Sequence, residues 1–208
     1  MKVKIYPKIV RLVGELVESE ISIDRLLILD KAIESIQLKL NKKEAVKLHF
    51  ICTHNSRRSQ LSEIWAKTIA SFYGIPVQTY SGGMEVTAFH TNAIAALIAQ
   101  GFKIDPSDSV NPECLVFYAD AAKPQKMFSK LIDDDSSPTE GFIAFMTCDH
   151  ASDNCPFVIG AERRIELPFE DPKQFDDRDN AMEFYKKTSN QIANEMNYIF
   201  SRIISSNG

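Results

Sequence analysis

Apolar positions recur at helical spacing along the first forty residues. Ile9, Leu12, Val13, Leu16 and Val17 share one face, and Ile23, Leu26, Leu27, Leu29, Ile33 and Ile36 share another. Residues 1 to about 44 therefore read as helical throughout, with Ser22 or Asp24 able to cap the second segment. A polar run from Lys39 to Lys47 follows, and Val46-Lys47-Leu48-His49-Phe50-Ile51 then reads as a buried strand. The expected division is an N-terminal helical extension over 1–44 and a main domain over 45–208.

Beyond that boundary the pattern alternates. Leu61, Ile64, Trp65, Ile69 and Phe72 make residues 59–73 an amphipathic helix, which Gly74-Ile75-Pro76 ends. Val77 to Tyr80 predicts a second strand, and residues 90–100 a helix closed by Gly101. The stretch 102–140 is less regular, punctuated by Asn111-Pro112 and Asp133-Asp134-Asp135. Gly141 to Thr147 is another buried strand and Arg164 to Leu167 a short last one. Residues 179–203 form a long helix with Met182, Tyr185, Ile192, Met196 and Phe200 on one side. Strands separated by helices pair in parallel through right-handed crossovers, which predicts a three-layer α/β sandwich. In such sheets, sites form beyond the carboxyl ends of the strands.

Composition narrows the partners. With 208 residues, 44% of them hydrophobic, the chain can bury a full core, and this length favours one domain with an appendage. A net charge of −4 without a long basic run argues against nucleic acid or an anionic membrane as partner. No apolar stretch approaches the roughly 20 residues of a membrane span. Met1-Lys2-Val3-Lys4 does not open a signal peptide, so a cytoplasmic location is expected. In that reducing compartment each of the four cysteines is a core residue, a metal ligand or a reactive thiol.

The candidate chemistry lies in Cys52-Thr53-His54-Asn55-Ser56-Arg57-Arg58-Ser59, between the first main-domain strand and its helix. The Cys-x5-Arg spacing is weak by itself, and its position gives it weight. A short loop entering a helix gathers backbone N–H groups at the positive end of the helix dipole, a cradle for a tetrahedral oxyanion. The same field stabilises a thiolate at Cys52 and makes it a nucleophile. Arg58 offers a planar fork for two anion oxygens, Ser59 a hydroxyl for the thiolate, and Asn55 a side chain to pin the loop. The plainer alternative is a buried Cys beside two solvated arginines.

This loop resembles that of the low-molecular-weight protein tyrosine phosphatase family, at Cys52, Asn55, Arg58 and Ser59. His54 and Arg57 stand where Gly and Cys are commoner. The resemblance spans about 46–204 and implies a flavodoxin-like, four-stranded parallel sheet. Expelling a leaving group calls for a proton donor, which a carboxyl on a separate loop can supply. Leu167-Pro168-Phe169-Glu170-Asp171-Pro172 follows the last strand, and the resemblance implies that Asp171, directly before Pro172, is that acid.

Cys148 and Cys155 flank a second polar segment after a core strand, and three readings stand for them: a metal site with His150, core packing, or a redox pair. In a continuous helix their Cα atoms would lie about 10 Å apart, beyond the roughly 7 Å reach of a disulfide, so a bridge requires the segment to unwind. The polar Asp149, His150, Ser152, Asp153 and Asn154 make that inexpensive. The spacing and the ending Asp153-Asn154-Cys155-Pro156 are similar to those of the thioredoxin-coupled arsenate reductases of the same fold. That resemblance implies a relay in which Cys52 attacks arsenate, Cys148 attacks Cys52, Cys155 resolves it and thioredoxin reduces the Cys148–Cys155 bond. It also makes Asn55, Glu63 and Ser81 candidates for a potassium ion, no other cofactor being required. Cys114 has no matching role and is expected to be buried.

Two other readings remain. A phosphatase would use the same first step on phosphate monoesters of small molecules or phosphoproteins, although Lys173 and Gln174 replace the aromatic residues usual after the Asp-Pro pair. A non-catalytic module would sense oxyanions or redox state through the intact loop. The N-terminal helices could serve dimerisation or docking, or simply cap the core.

Overall fold

A computed structural model describes residues 3–203 except 106, 108, 155 and 156, and for 152–154 the backbone alone. In chain order the elements are α1 (Pro7–Glu15), α2 (Ile23–Asn41), β1 (Lys47–Cys52), α3 (Arg58–Tyr73), β2 (Gln78–Gly83), α4 (Thr91–Gln100) and β3 (Lys103–Asp105). There follow β4 (Cys114–Phe117), β5 (Gln125–Met127), β6 (Phe142–Met146), α5 (Asp149–Asn154), β7 (Ala161–Glu166) and α6 (Ala181–Ser201). Among the described residues no helix is long and apolar enough to cross a membrane.

The central sheet runs β2-β1-β6-β7 and every neighbouring pair is parallel, the four-stranded sheet of the expected three-layer sandwich. Leu48, Phe50, Ile143, Phe145 and Ile165 join the larger core with the apolar residues of α1 to α4 and α6. Phe50 stacks on Phe145 with ring centroids 5.0 Å apart. Trp65 of α3 is fully buried and donates its indole N–H to Ser189 Oγ of α6 at 2.8 Å, so its polar atom is not orphaned. Each such large side chain contributes roughly 1.5–3 kcal/mol by leaving water. On the other face Ile51, Ala144 and Met146 pack with Cys52, Cys148 and Ala151, closed over by Met84, Ile132 and Val158.

The N-terminal segment is interrupted rather than helical throughout. α1 stops at Glu15, where Leu16 turns extended, a 3₁₀ turn spans Glu18–Glu20, and Ser22 caps α2 by accepting the Arg25 N–H. Ile9, Val13, Leu29, Ala32 and Ile36 enter the same core as the sheet. Arg25 pairs with the buried Glu195 of α6 at 2.9 Å.

Two strands are longer than their apolar runs. β2 continues through Ser81, Gly82 and Gly83 because these pair with Phe50, Ile51 and Cys52. β7 begins at Ala161 as a largely polar edge strand. The irregular 102–140 region holds a three-stranded antiparallel sheet, β3-β4-β5. Its strands have three, four and three residues, too short for alternation to register as a pattern.

Candidate active site

Cys52 is the last residue of β1, buried, with Thr53 to Arg57 crossing to α3. Its Sγ lies 3.0 Å from Ser59 Oγ and receives the Asn55 N–H at 3.2 Å. Ser59 Oγ itself accepts from Asn55 Nδ2 at 2.9 Å, which leaves the serine proton free for the sulfur. Two hydrogen-bonding groups thus converge on one buried sulfur. Asn55 holds φ at 45°, in the left-handed region that asparagine tolerates better than most side chains. It is fixed from three sides, because Oδ1 accepts the Lys130 N–H at 3.0 Å and its carbonyl accepts from Gln60 Nε2 at 2.6 Å.

The remaining loop residues are tied outward. Thr53 O accepts the N–H groups of Met84 and Glu85, and His54 O accepts the Ser129 and Thr87 hydroxyls. His54 Nε2 lies 3.3 Å from Glu85, and Ser56 Oγ donates to Ala88 O at 2.6 Å. Ser129 is held by a reciprocal pair of bonds with Asn111. The region without a strong sequence pattern thus braces the loop from outside. Among the described residues the backbone N–H groups of Ser56, Arg57 and Arg58 meet no acceptor in the protein, the condition for an anion cradle.

β2 presses on the loop from the other side. A Cβ on Gly83 would lie 2.7 Å from Asn55 N and 2.8 Å from Thr53 O, so only glycine lets strand and loop approach this closely.

Arg58 and Asp171 come together, Nη2 donating to Oδ2 at 2.6 Å while Nη1 donates to Phe169 O at 3.1 Å. Asp171 also accepts the Lys173 N–H and caps the 3₁₀ turn Pro172–Phe175. A cleft of about 430 Å³ opens here, lined by Arg58, Asp149, Glu170, Asp171 and Gln174.

Cys148 is buried in the same cluster as Cys52, brought there by the register of β6 on β1 and by Thr147 donating N–H and Oγ1 to Ile51 O. Thr53 Oγ1 sits 3.6 Å from Cys148 Sγ and 3.2 Å from His150 Nδ1, and the Ala151 N–H donates to Cys148 Sγ at 3.3 Å. Residues 149–154 are helical. Cys155 lies outside the described residues. Cys114 is buried in β4.

Glu63 and Ser81 sit behind the loop, on α3 and β2. Glu63 is buried, which pushes its carboxyl up against the opposing pull of Lys130, Ser81 and Gln125. Its Oε2 and the Ser81 hydroxyl have no partner at hydrogen-bonding geometry. Among the described residues no group of three or more His, Cys, Asp or Glu is placed to hold a metal.

One cluster had no sequence signal beyond the unusual Arg57. Arg57 Nε donates to Tyr185 Oη at 2.6 Å and Nη2 to Asp176 Oδ2 at 2.6 Å, while the Tyr185 hydroxyl donates to Asp176 Oδ1 at 2.6 Å. His90 stacks on Tyr185 with its Nδ1 3.0 Å from the hydroxyl. Burial raises the Asp176 carboxyl, but Tyr185 and Arg57 together bring it below its ordinary value. Burial and the neighbouring carboxylate push the Tyr185 hydroxyl strongly up.

A parallel sheet whose first strand ends in a buried thiol, followed by a tied loop and an arginine at a helix start, defines the cysteine-loop α/β enzymes. A family model described as low molecular weight phosphotyrosine protein phosphatase matches residues 47–114. The arsenate reductase of Brevibacillus brevis is 30% identical over 132 residues, covering 64% of this chain and 78% of that one. The arsenate reductase of Halalkalibacterium halodurans is 28% identical over 142 residues, covering 67% and 81%. A low molecular weight protein tyrosine phosphatase from Bacillus subtilis, solved in solution, shares the fold at a TM-score of 0.51 and 15% identity, covering 74% of this chain and 95% of that one. The chain belongs to the low-molecular-weight phosphotyrosine protein phosphatase family. It is an enzyme, either a reductase of arsenate or a phosphatase.

Proposed function

We propose that this chain reduces arsenate to arsenite through Cys52 and a Cys148/Cys155 relay, with thioredoxin as the reductant. The observation that carries this reading is a second buried thiol at the loop, since Cys148 shares a cluster with Cys52 and lies 3.6 Å from the hydroxyl of its neighbour Thr53. Ester hydrolysis through Cys52, Arg58 and Asp171 does not require a thiol there.

Cys52 thiolate attacks arsenic while the loop amides and Arg58 hold the oxygens, and Asp171 gives its proton to the departing hydroxyl of the arsenate, which leaves as water. Cys148, as the thiolate and with the Ala151 amide on its sulfur, then attacks Cys52 sulfur. The sulfur–arsenic bond breaks with its electron pair moving to arsenic, which leaves as arsenite, and a Cys52–Cys148 disulfide forms. Cys155 thiolate displaces Cys52 from Cys148, and the dithiol of thioredoxin reduces the resulting bond. α5 unwinds to let Cys155 reach, a small cost for six residues of mostly weak helix formers.

Potassium held by Asn55, Glu63 and Ser81 belongs to this reading. The orphaned Glu63 Oε2 and Ser81 Oγ suit a hard cation, while Asn55 Oδ1 already accepts from Lys130 and has one lone pair to offer. Bound there, the ion would add positive charge behind the loop. Residues 1–44 act as an extension capping the domain over 45–208.

The second reading, hydrolysis of phosphate monoesters, is favoured by the pairing of Arg58 with Asp171 at the cleft. The double change Cys148→Ser and Cys155→Ser separates the two. Arsenate turnover with thioredoxin is expected to vanish, while ester hydrolysis continues and requires Cys52, Arg58 and Asp171. Without thioredoxin, arsenate should consume about two thiols per turnover. Arsenate reduction that survives the double change would end the relay.

A further inference from the structure

Two adjacent arginines of the loop each hold an aspartate of the segment that carries the proposed proton donor. Arg58 pairs with Asp171 and Arg57 with Asp176, both at 2.6 Å, and the turn Pro172–Phe175 lies between the two carboxylates. The two pairs face different competitors. An oxyanion in the cradle takes the Arg58 fork, so the Arg58–Asp171 pair is given up or shared when the site fills. Arg57 is turned away from the cradle, with Nε on the fully buried Tyr185 of α6 and Nη2 on Asp176, and Tyr185 closes the triangle through Asp176 Oδ1.

We propose that Arg57 is a positioning residue, whose bond to Asp176 and Tyr185 keeps the Asp171 segment over the site after Arg58 has turned to the anion. This rests on the reading of Cys52, Arg58 and Asp171 as nucleophile, anion fork and proton donor. A small side chain in place of Arg57 would leave Arg58, the bond that substrate removes, as the segment's side-chain tie to the loop among the described residues, with Tyr185 and His90 still on Asp176 and Phe175 stacked on Phe184. The arrangement keeps the acid in reach in the state where a proton has to be delivered. It also neutralises Arg57 with its own carboxylate, so Arg58 is not forced to share Asp171 with a second cation.

The test uses the full chain and the Asp176→Asn variant, with inorganic phosphate and aryl phosphates as probes. In hydrogen–deuterium exchange, saturating phosphate should leave the amides of residues 168–178 as protected as before in the wild type. In Asp176→Asn the same addition should raise exchange there at least fivefold, with the strands of the central sheet unchanged as the folding control. Hydrolysis should fall in the variant at least tenfold more for phenyl phosphate, whose leaving group needs a proton, than for 2,4-dinitrophenyl phosphate, whose leaving group does not. The inhibition constant of phosphate should move less than threefold. Equal losses on both esters, or a segment that opens with phosphate in the wild type as well, would overturn the assignment. A wild type that neither binds phosphate nor turns over any ester would instead remove the Cys52–Arg58 reading beneath it.

Discussion

His49 gives this fold a calculable sensitivity to acid. It lies in the middle of β1, fully buried, with Phe142 at 5.4 Å and Tyr80 at 6.3 Å between ring centroids. Neither ring nitrogen meets a partner at hydrogen-bonding geometry. Burial above all, and then the charge of Lys130, push its pKa from the ordinary 6.5 down to about 3, against a weak upward pull from the Ser81 backbone. The folded value lies below the unfolded one, so the unfolded chain binds the proton first as pH falls. His49 thus supports the fold fully above about pH 6.5, and that support is lost progressively as pH falls from there towards about 3. At about 1.4 kcal/mol per pH unit across that window, going from pH 7 to pH 5 costs about 2 kcal/mol from this one side chain. Urea unfolding at the two pH values measures it, and His49→Leu isolates it. The variant should match or exceed the wild type at pH 7, because it removes two unpaired polar atoms, and should show little of the wild type's decline between pH 7 and pH 5. His90, whose pKa is lowered chiefly by its own burial, leaves a smaller slope of the same sign. If His49→Leu shows the full wild-type decline, the buried neutral imidazole is not its cause.

Gly83→Ala should disable the cradle without unfolding the chain. The added methyl meets loop backbone at 2.7–2.8 Å, so Thr53 and Asn55 must move, at a cost of about 1–3 kcal/mol in stability. Phosphate affinity and ester turnover are expected to drop more than tenfold, and wild-type kinetics would show that the loop absorbs the contact elsewhere. Arg25→Ala removes the partner of the buried Glu195 and the cation resting over the Phe169 ring, 4.8 Å away. Denaturation at pH 8 should show a loss of about 3–5 kcal/mol, whereas replacing both members of the pair with Met should cost far less. A single change as mild as the double one would mean that the pair does not hold α2 to α6.

The segment order, the parallel sheet and the place of the thiol loop were legible in the linear pattern, because apolar periodicity and helix punctuation are local properties. Cys52, Asn55, Arg58 and Ser59 lie within eight consecutive residues, so their meeting needs only a strand that ends and a helix that begins. Arg58 and Asp171 lie 113 positions apart; the pattern put both at one end of the sheet and the resemblance singled out Asp171, but their ion pair came only from packing. What the pattern missed came from contacts between elements whose sequences say nothing of one another. Ser129 and Lys130 brace the loop from a region of three- and four-residue strands, Gly83 is small because a distant backbone lies against it, and Asp176 and Tyr185 look like a surface acid and a core aromatic until α6 brings them to Arg57. Local periodicity decides which segments become strands and helices. Only packing decides which polar atoms are shut away from water together, and there each unpaired donor or acceptor has to find a partner far along the chain.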